Sequence, residues 1–96
     1  MKYAIPLRSI DTVKALWMIG LRHYERLSPS DDFADLHCPF CQGQAWMRTD
    51  GKTKNMMRCT VCRKVIDIVS LAMELRGLDL KGVKAFLHPA ITKKAE

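Results

Sequence analysis

Cys38-Pro39-Phe40-Cys41 and Cys59-Thr60-Val61-Cys62 organise this chain. They hold its only four cysteines, two C-x2-C pairs with seventeen residues between Cys41 and Cys59. Two residues between cysteines let a tight turn aim both sulfurs at one point, with turn amides donating to the thiolates. Two such knuckles bring four sulfurs to tetrahedral geometry, and the donor set and spacing are those of a Zn2+ site. Iron and a redox dithiol are the competing readings. A disulfide framework fits poorly with the cytoplasmic location expected of the chain, because that compartment keeps thiols reduced. With four protein thiolates no position is open to water or substrate, so a single structural Zn2+ is expected.

The residues between the knuckles read as a β-hairpin: a strand over 45–49, a turn at Asp50-Gly51, a tip extended by Lys52-Thr53-Lys54, and a strand over 55–59. Charge concentrates here. The chain carries +6, and residues 38–64 hold six basic side chains (Arg48, Lys52, Lys54, Arg58, Arg63, Lys64) against Asp50 alone. Residues 1–37 balance five against five, and residues 65–96 carry five against four. A local basic surplus points to an anionic partner, nucleic acid first. Four thiolates on Zn2+ leave −2, so Arg63 and Lys64 partly offset the metal centre. Alternation along 45–49 puts Trp46 and Arg48 on one face and Met47 on the other. Trp46, Arg48, Lys52, Lys54, Arg58 and Lys64 are thus the candidate nucleic-acid contacts, on a cationic finger standing clear of the helical body. A base stacked on Trp46 would contribute about 1–3 kcal/mol. The bland alternatives are Trp46 as core and the cations as a solvated face.

Upstream of the knuckles, Ser9 is positioned to cap a helix over 10–27. Ile10, Val13, Leu16, Trp17, Gly20/Leu21, Tyr24 and Leu27 would form its buried stripe. Either Met18 or Ile19 must then face outward, a docking face or homodimer seam. Ser28-Pro29-Ser30-Asp31-Asp32 ends it in a loop. After the second knuckle, Asp67 is the natural cap of a helix over 67–76, with Ile68, Leu71, Ala72 and Leu75 inward and Gly77 ending it. Asp79 caps a last helix over 80–87, with Val83, Phe86 and Leu87 inward, closed by Pro89; residues 91–96 read as a frayed tail. The expected fold is α+β: a small zinc ribbon, about 37–64, packed on three helices.

Ninety-six residues make one domain. No apolar run reaches the roughly 18–20 residues of a membrane span, and the N-terminus lacks the apolar stretch of a signal peptide. Gly51-Lys52-Thr53 looks like the end of a phosphate-binding loop, but Trp46 stands where the partner glycine belongs. Asp31, Asp32 and Asp35 share one segment, with no second contributor to a catalytic metal site. His37 adjoins Cys38, and adjacent residues rarely reach one metal; His23 and His88 fit no pattern. The chain is not expected to be an enzyme.

Cys38-Pro39-Phe40, the hairpin, Cys59-x-x-Cys62 and Asp67-Ile68-Val69-Ser70-Leu71-Ala72-Met73-Glu74-Leu75-Arg76-Gly77 together resemble the zinc-binding domain of bacterial, DnaG-type and phage primases. That family shows CPF at its first knuckle and a capped helix of the form DVIxFVMExEG, followed by LSFxEAVxxL. Residues 78–87 match the latter, and Ile10-Asp11-Thr12-Val13 is similar to the family's N-terminal IDIV. The family usually places His where this chain has Cys41, and a KTPSF stretch where it has Gln42-Gly43-Gln44-Ala45-Trp46. Glycines follow its last cysteine, where this chain has Arg63-Lys64. The resemblance, over about residues 9–88, implies zinc ligation and binding of a single-stranded template, but not primer synthesis, since no polymerase domain follows within these residues.

The function expected is a stand-alone, DNA-binding, primase-like accessory of replication, in a phage or mobile element. Single-stranded DNA is the expected partner. A second reading is an adaptor that mimics the primase module and docks on a primase, helicase or other replication protein. A third, a transcriptional regulator on duplex DNA, is weakened by the absence of a helix with a recognition-style basic and amide run.

Overall fold

A computed structural model of the chain describes residues 6–25 and 32–91. The expected loop over 28–31, the helix end at 26–27 and the tail at 92–96 lie outside them. Eight elements follow in order: α1 Thr12–Ile19, β1 His23–Glu25, β2 Phe33–His37, β3 Gln44–Arg48, β4 Met56–Cys59, β5 Val65–Asp67, α2 Ile68–Arg76 and α3 Leu80–Leu87. Short 3-10 turns at Leu7–Ser9 and His88–Ala90 flank them. The α+β class is as expected.

The strands form one antiparallel five-stranded meander, β1-β2-β3-β4-β5. Period-two alternation gives the sheet two different faces. Ala34 and Leu36, Ala45 and Met47, Met57 and Cys59, and Ile66 are buried on one side. There they meet Ala15, Leu16 and Ile19 of α1, Ile68, Val69, Leu71 and Ala72 of α2, and Val83 and Leu87 of α3 in a single core. Each Leu, Ile or Val buried in this way contributes about 1.5–3 kcal/mol. The other face, with Phe33, Asp35, His37, Gln44, Trp46, Arg48, Met56, Arg58 and Val65, carries none of the described helices, which all pack on the opposite side.

Three expectations need correction. First, α1 begins after Asp11, whose carboxylate accepts from the Lys14 amide, and ends at Ile19 rather than running over 10–27. Gly20 takes a left-handed φ of +97°, its amide donates to Leu16 O and Trp17 O, and the Leu21 amide returns to Leu16 O at 3.0 Å. This helix-stop motif uses the residue that fits it best, and glycine within a helix would cost about 1 kcal/mol. Trp17 consequently lies outside the stripe, 74% exposed, while Ile19 is buried and Met18 half-buried. Second, β1, β2 and β5 join the sheet although only the hairpin strands are expected; β2 carries the alternation Phe33-Ala34-Asp35-Leu36-His37. Third, on α2 Val69 takes the buried place assigned to Leu75, which is 37% exposed.

The hairpin is not a free finger either. β3 is the central strand, and the tip is tied to the N-terminal segment through Asn55. This residue is fully buried at φ +69°, a conformation asparagine tolerates better than most side chains. Its Nδ2 donates to Leu7 O at 2.6 Å and Ile10 O at 2.9 Å, its Oδ1 accepts from the Thr12 hydroxyl, and its carbonyl accepts from the Ile68 amide. Asp67 and Asp79 cap α2 and α3 as expected, accepting from the amides of Ser70 and Gly82 at 2.7 Å each.

Candidate metal centre and open sheet face

Each C-x-x-C turn leaves or enters a strand end, which fixes where its sulfurs point. Cys38 directly follows β2, Cys41 precedes β3, Cys59 ends β4, and Cys62 precedes β5. The two turns repeat one geometry. The Cys38 amide donates to Gly43 O and the Cys59 amide to Lys64 O, at 2.8 and 3.0 Å. The residue after each second cysteine is left-handed, Gln42 at φ 66° and Arg63 at φ 63°. Amides of Phe40 and Gly43 donate to the sulfurs of Cys38 and Cys41, and those of Val61 and Cys62 to the sulfur of Cys59, all at 3.3–3.4 Å. Neither left-handed position is filled by glycine, the residue that fits that conformation at least cost.

All four Sγ atoms lie within 4.8 Å of one another. The Cys38–Cys62 and Cys41–Cys59 pairs stand at 3.8 and 3.4 Å. A tetrahedron with metal–sulfur distances near 2.3 Å has sulfur–sulfur edges of about 3.8 Å. The four thiols therefore fit one tetrahedral metal ion, with Cys38 and Cys59 buried and Cys62 exposed. As bare thiols they differ in acidity. Burial pushes the Cys59 thiol up, but the amides of Cys62 and Val61 and the thiols of Cys41 and Cys62 outweigh it and bring it to about 6. At Cys41 the Gly43 amide pulls down, but the thiol contact with Cys59, burial, and the thiols of Cys62 and Cys38 hold it at about 11.

Gly43 is where the two knuckles touch. A Cβ there would overlap Val61 Cγ2 and stand 2.7 Å from Val61 Cβ, closer than side-chain carbons approach. Gly43→Ala is therefore expected to pry the knuckles apart and weaken metal affinity about tenfold or more, and Val61→Gly in the same chain should restore it. Competition with a chelator indicator measures both; equal affinities of wild type and Gly43→Ala would refute the packing argument.

The candidate nucleic-acid residues do not form one patch. Trp46 is half-buried on the open face rather than in the core. Its ring meets Phe33 edge-on at 4.9 Å, and the Arg58 guanidinium lies 5.9 Å from its centroid. Arg48 sits over Phe33 at 4.9 Å and donates from Nε to Asp50 O. Cross-strand pairing explains the order, since Phe33 faces Arg48 and Trp46 faces both Asp35 and Arg58. Lys52 is exposed at the tip, and Lys54 turns back to donate to Arg8 O at 3.3 Å. Lys64 is at the metal end, its ammonium 4.6 Å from the Phe40 centroid. Arg58 and Arg63 share a cleft with Thr60 and Val65 beside Cys59.

Sequence reasoning misses Phe33, the second ring of the open face, because the turn-forming residues before β2 mask the strand; the alternation of 33–37 is the available signal. Among the described residues no helix is long and apolar enough to cross a membrane. No family model, curated protein or solved structure matches this chain.

Proposed function

We propose that the chain is a primase-like zinc module that binds single-stranded DNA across the open face of its sheet, as an accessory of replication. The observation that carries this reading is the run Arg48–Phe33–Trp46–Arg58, two rings and two guanidinium groups in contact on the sheet face that none of the described helices covers. Aromatic rings stack on bases of any identity, and guanidinium groups pair with phosphates, which is the chemistry of single-strand binding. Cys38, Cys41, Cys59 and Cys62 would hold one Zn2+, which clamps the ends of β2 and β4 and so fixes the spacing of the rings. Lys52 at the hairpin tip and Arg63 and Lys64 at the metal end are exposed and add positive charge at either end of the hairpin.

A second reading has its own observation. Trp17, 74% exposed, stands on α1, whose Ala15, Leu16 and Ile19 pack on the buried face of the sheet. A protein partner (a primase, a helicase or a second copy of the chain) docking there would make the module an adaptor. The two tryptophans thus report on different elements, α1 and β3. In Trp17→Phe, oligothymidylate should quench Trp46 fluorescence with an affinity that falls as salt rises. Arg58→Ala should weaken binding about five- to tenfold and flatten the salt slope by about one phosphate contact. Absence of quenching at low salt, or quenching confined to Trp17, would overturn the open-face reading.

A further inference from the structure

We propose that the cleft shared by Arg58 and Arg63 holds the terminal phosphate of a bound DNA strand. This inference rests on the open face being a single-strand surface, and adds an end preference to it. The cleft encloses about 370 Å³ beside the metal centre and is lined by Arg58, Cys59, Thr60, Arg63 and Val65, with no carboxylate among them. Arg58 stands on the open face of β4, paired across the sheet with Trp46 on one side and Val65 on the other. Its guanidinium, 5.9 Å from the Trp46 centroid, therefore belongs to the ring surface and to the cleft at once. A strand whose last base stacks on Trp46 brings its end phosphate to this cleft.

Arg63 needs a reason of its own. It stands at φ 63°, a left-handed backbone that favours glycine over any residue with a Cβ. Among the described residues its exposed side chain has no hydrogen bond, ion pair or ring contact. The cysteine sulfurs do not tie it down, because they take their hydrogen bonds from the amides of Phe40, Gly43, Val61 and Cys62. Nor does Thr60, whose hydroxyl donates to Gln44 O. Two guanidinium groups with no acid between them suit a dianion. An internal phosphodiester carries one charge and two free oxygens. A terminal phosphomonoester carries about −1.5 to −2 at pH 7 and offers three. The planar fork of an arginine pairs with two phosphate oxygens at once, so the extra oxygen and charge of a chain end let two arginines bind together. Arg58 can stay against the Trp46 ring and still present N–H donors at its edge. Val65, 51% exposed, gives the end sugar an apolar wall.

The test uses the full chain and short oligothymidylates bearing a 5′-phosphate, a 3′-phosphate or hydroxyls at both ends. Quenching of Trp46 in the Trp17→Phe background follows binding without a label at either end. A strand crosses the face in one direction, so one phosphorylated form, and not the other, should bind about tenfold more tightly than the hydroxyl form. Arg63→Gly relieves the left-handed backbone and should keep native circular dichroism and metal content, yet the gain should vanish. In Lys52→Gln, at the hairpin tip, the same unit of charge is lost and the gain should persist. No gain from either phosphate, equal gains from both, or a gain that survives Arg63→Gly overturns the cleft, while binding of the hydroxyl form leaves the open face intact. A gain lost equally in Lys52→Gln is general charge attraction and overturns the cleft too. Failure of every oligonucleotide to bind at low salt overturns both.

Discussion

Cys38→Ser is expected to leave the chain without its metal and without cooperative unfolding at room temperature. Cys38 is fully buried, so serine would place a short, hard oxygen where the tetrahedron needs a soft sulfur, and solvent cannot readily complete the shell. Structural zinc contributes about 10–16 kcal/mol of binding free energy in small zinc domains, comparable to the entire stability of a domain this size. Losing one of four ligands therefore removes enough to unfold the sheet ends. Metal analysis should fall well below one equivalent, and the near-ultraviolet dichroism of the tryptophans should collapse. A strong chelator acting on wild type should give the same spectrum, and readdition of Zn2+ should reverse it. A Cys38→Ser protein with one full equivalent of Zn2+ and a native spectrum would remove the basis for a tetrathiolate centre.

Asn55→Asp should be nearly as damaging, although the two side chains are isosteric. Asparagine donates two hydrogen bonds, to Leu7 O and Ile10 O, from a fully buried position. Aspartate turns both donors into acceptors, so carbonyl oxygens face a carboxylate with no water to separate them. The expected loss is about 3–5 kcal/mol at neutral pH, measured by denaturant unfolding. It should shrink at pH values below the ordinary aspartate range, because the neutral acid can donate once and the penalty belongs to the charged form. Asn55→Gly keeps the left-handed backbone and removes the side-chain bonds without adding charge, so its loss should be smaller, about 2–3 kcal/mol. If Asn55→Asp costs less than Asn55→Gly, the donor role assigned to this amide is wrong.

The cysteine spacing makes the cluster of four thiols legible at once, because two C-x2-C turns can meet only if a hairpin or similar return brings them together. Asp67 and Asp79 are legible as caps for an equally local reason: a carboxylate three residues before an amide closes the first turn. What escapes is set by single residues competing with a longer pattern. The apolar spacing from Ile10 to Leu27 fits a helix, but Gly20 offers a left-handed stop in its middle, and the chain turns into β1 instead. Phe33-Ala34-Asp35-Leu36-His37 alternates plainly, yet the turn-forming residues before it give the whole stretch the character of a loop. Alternation alone places Trp46 on the correct face relative to Met47. That the described helices all leave this face, and that Phe33 shares it, depends on how the sheet packs and on a strand the periodicity does not announce. Asn55 gives no signal, since a buried asparagine is defined by partners more than forty residues away.

Each strand of the meander pairs with its neighbour in the chain, so the loops closed on folding are short, and the two knuckles are joined by the hairpin between them. The one antiparallel bridge from Ile10 to Ile91 is different, since it joins opposite ends of the described chain. Loop-closure entropy rises with the length enclosed, so this seam is the costliest contact to form early and the natural one to form last. The sheet and its two knuckles can therefore assemble while the ends are still apart. Hydrogen exchange should show the amide of Asp11, which donates to Ala90 O across the seam, opening before those of β3 and β4.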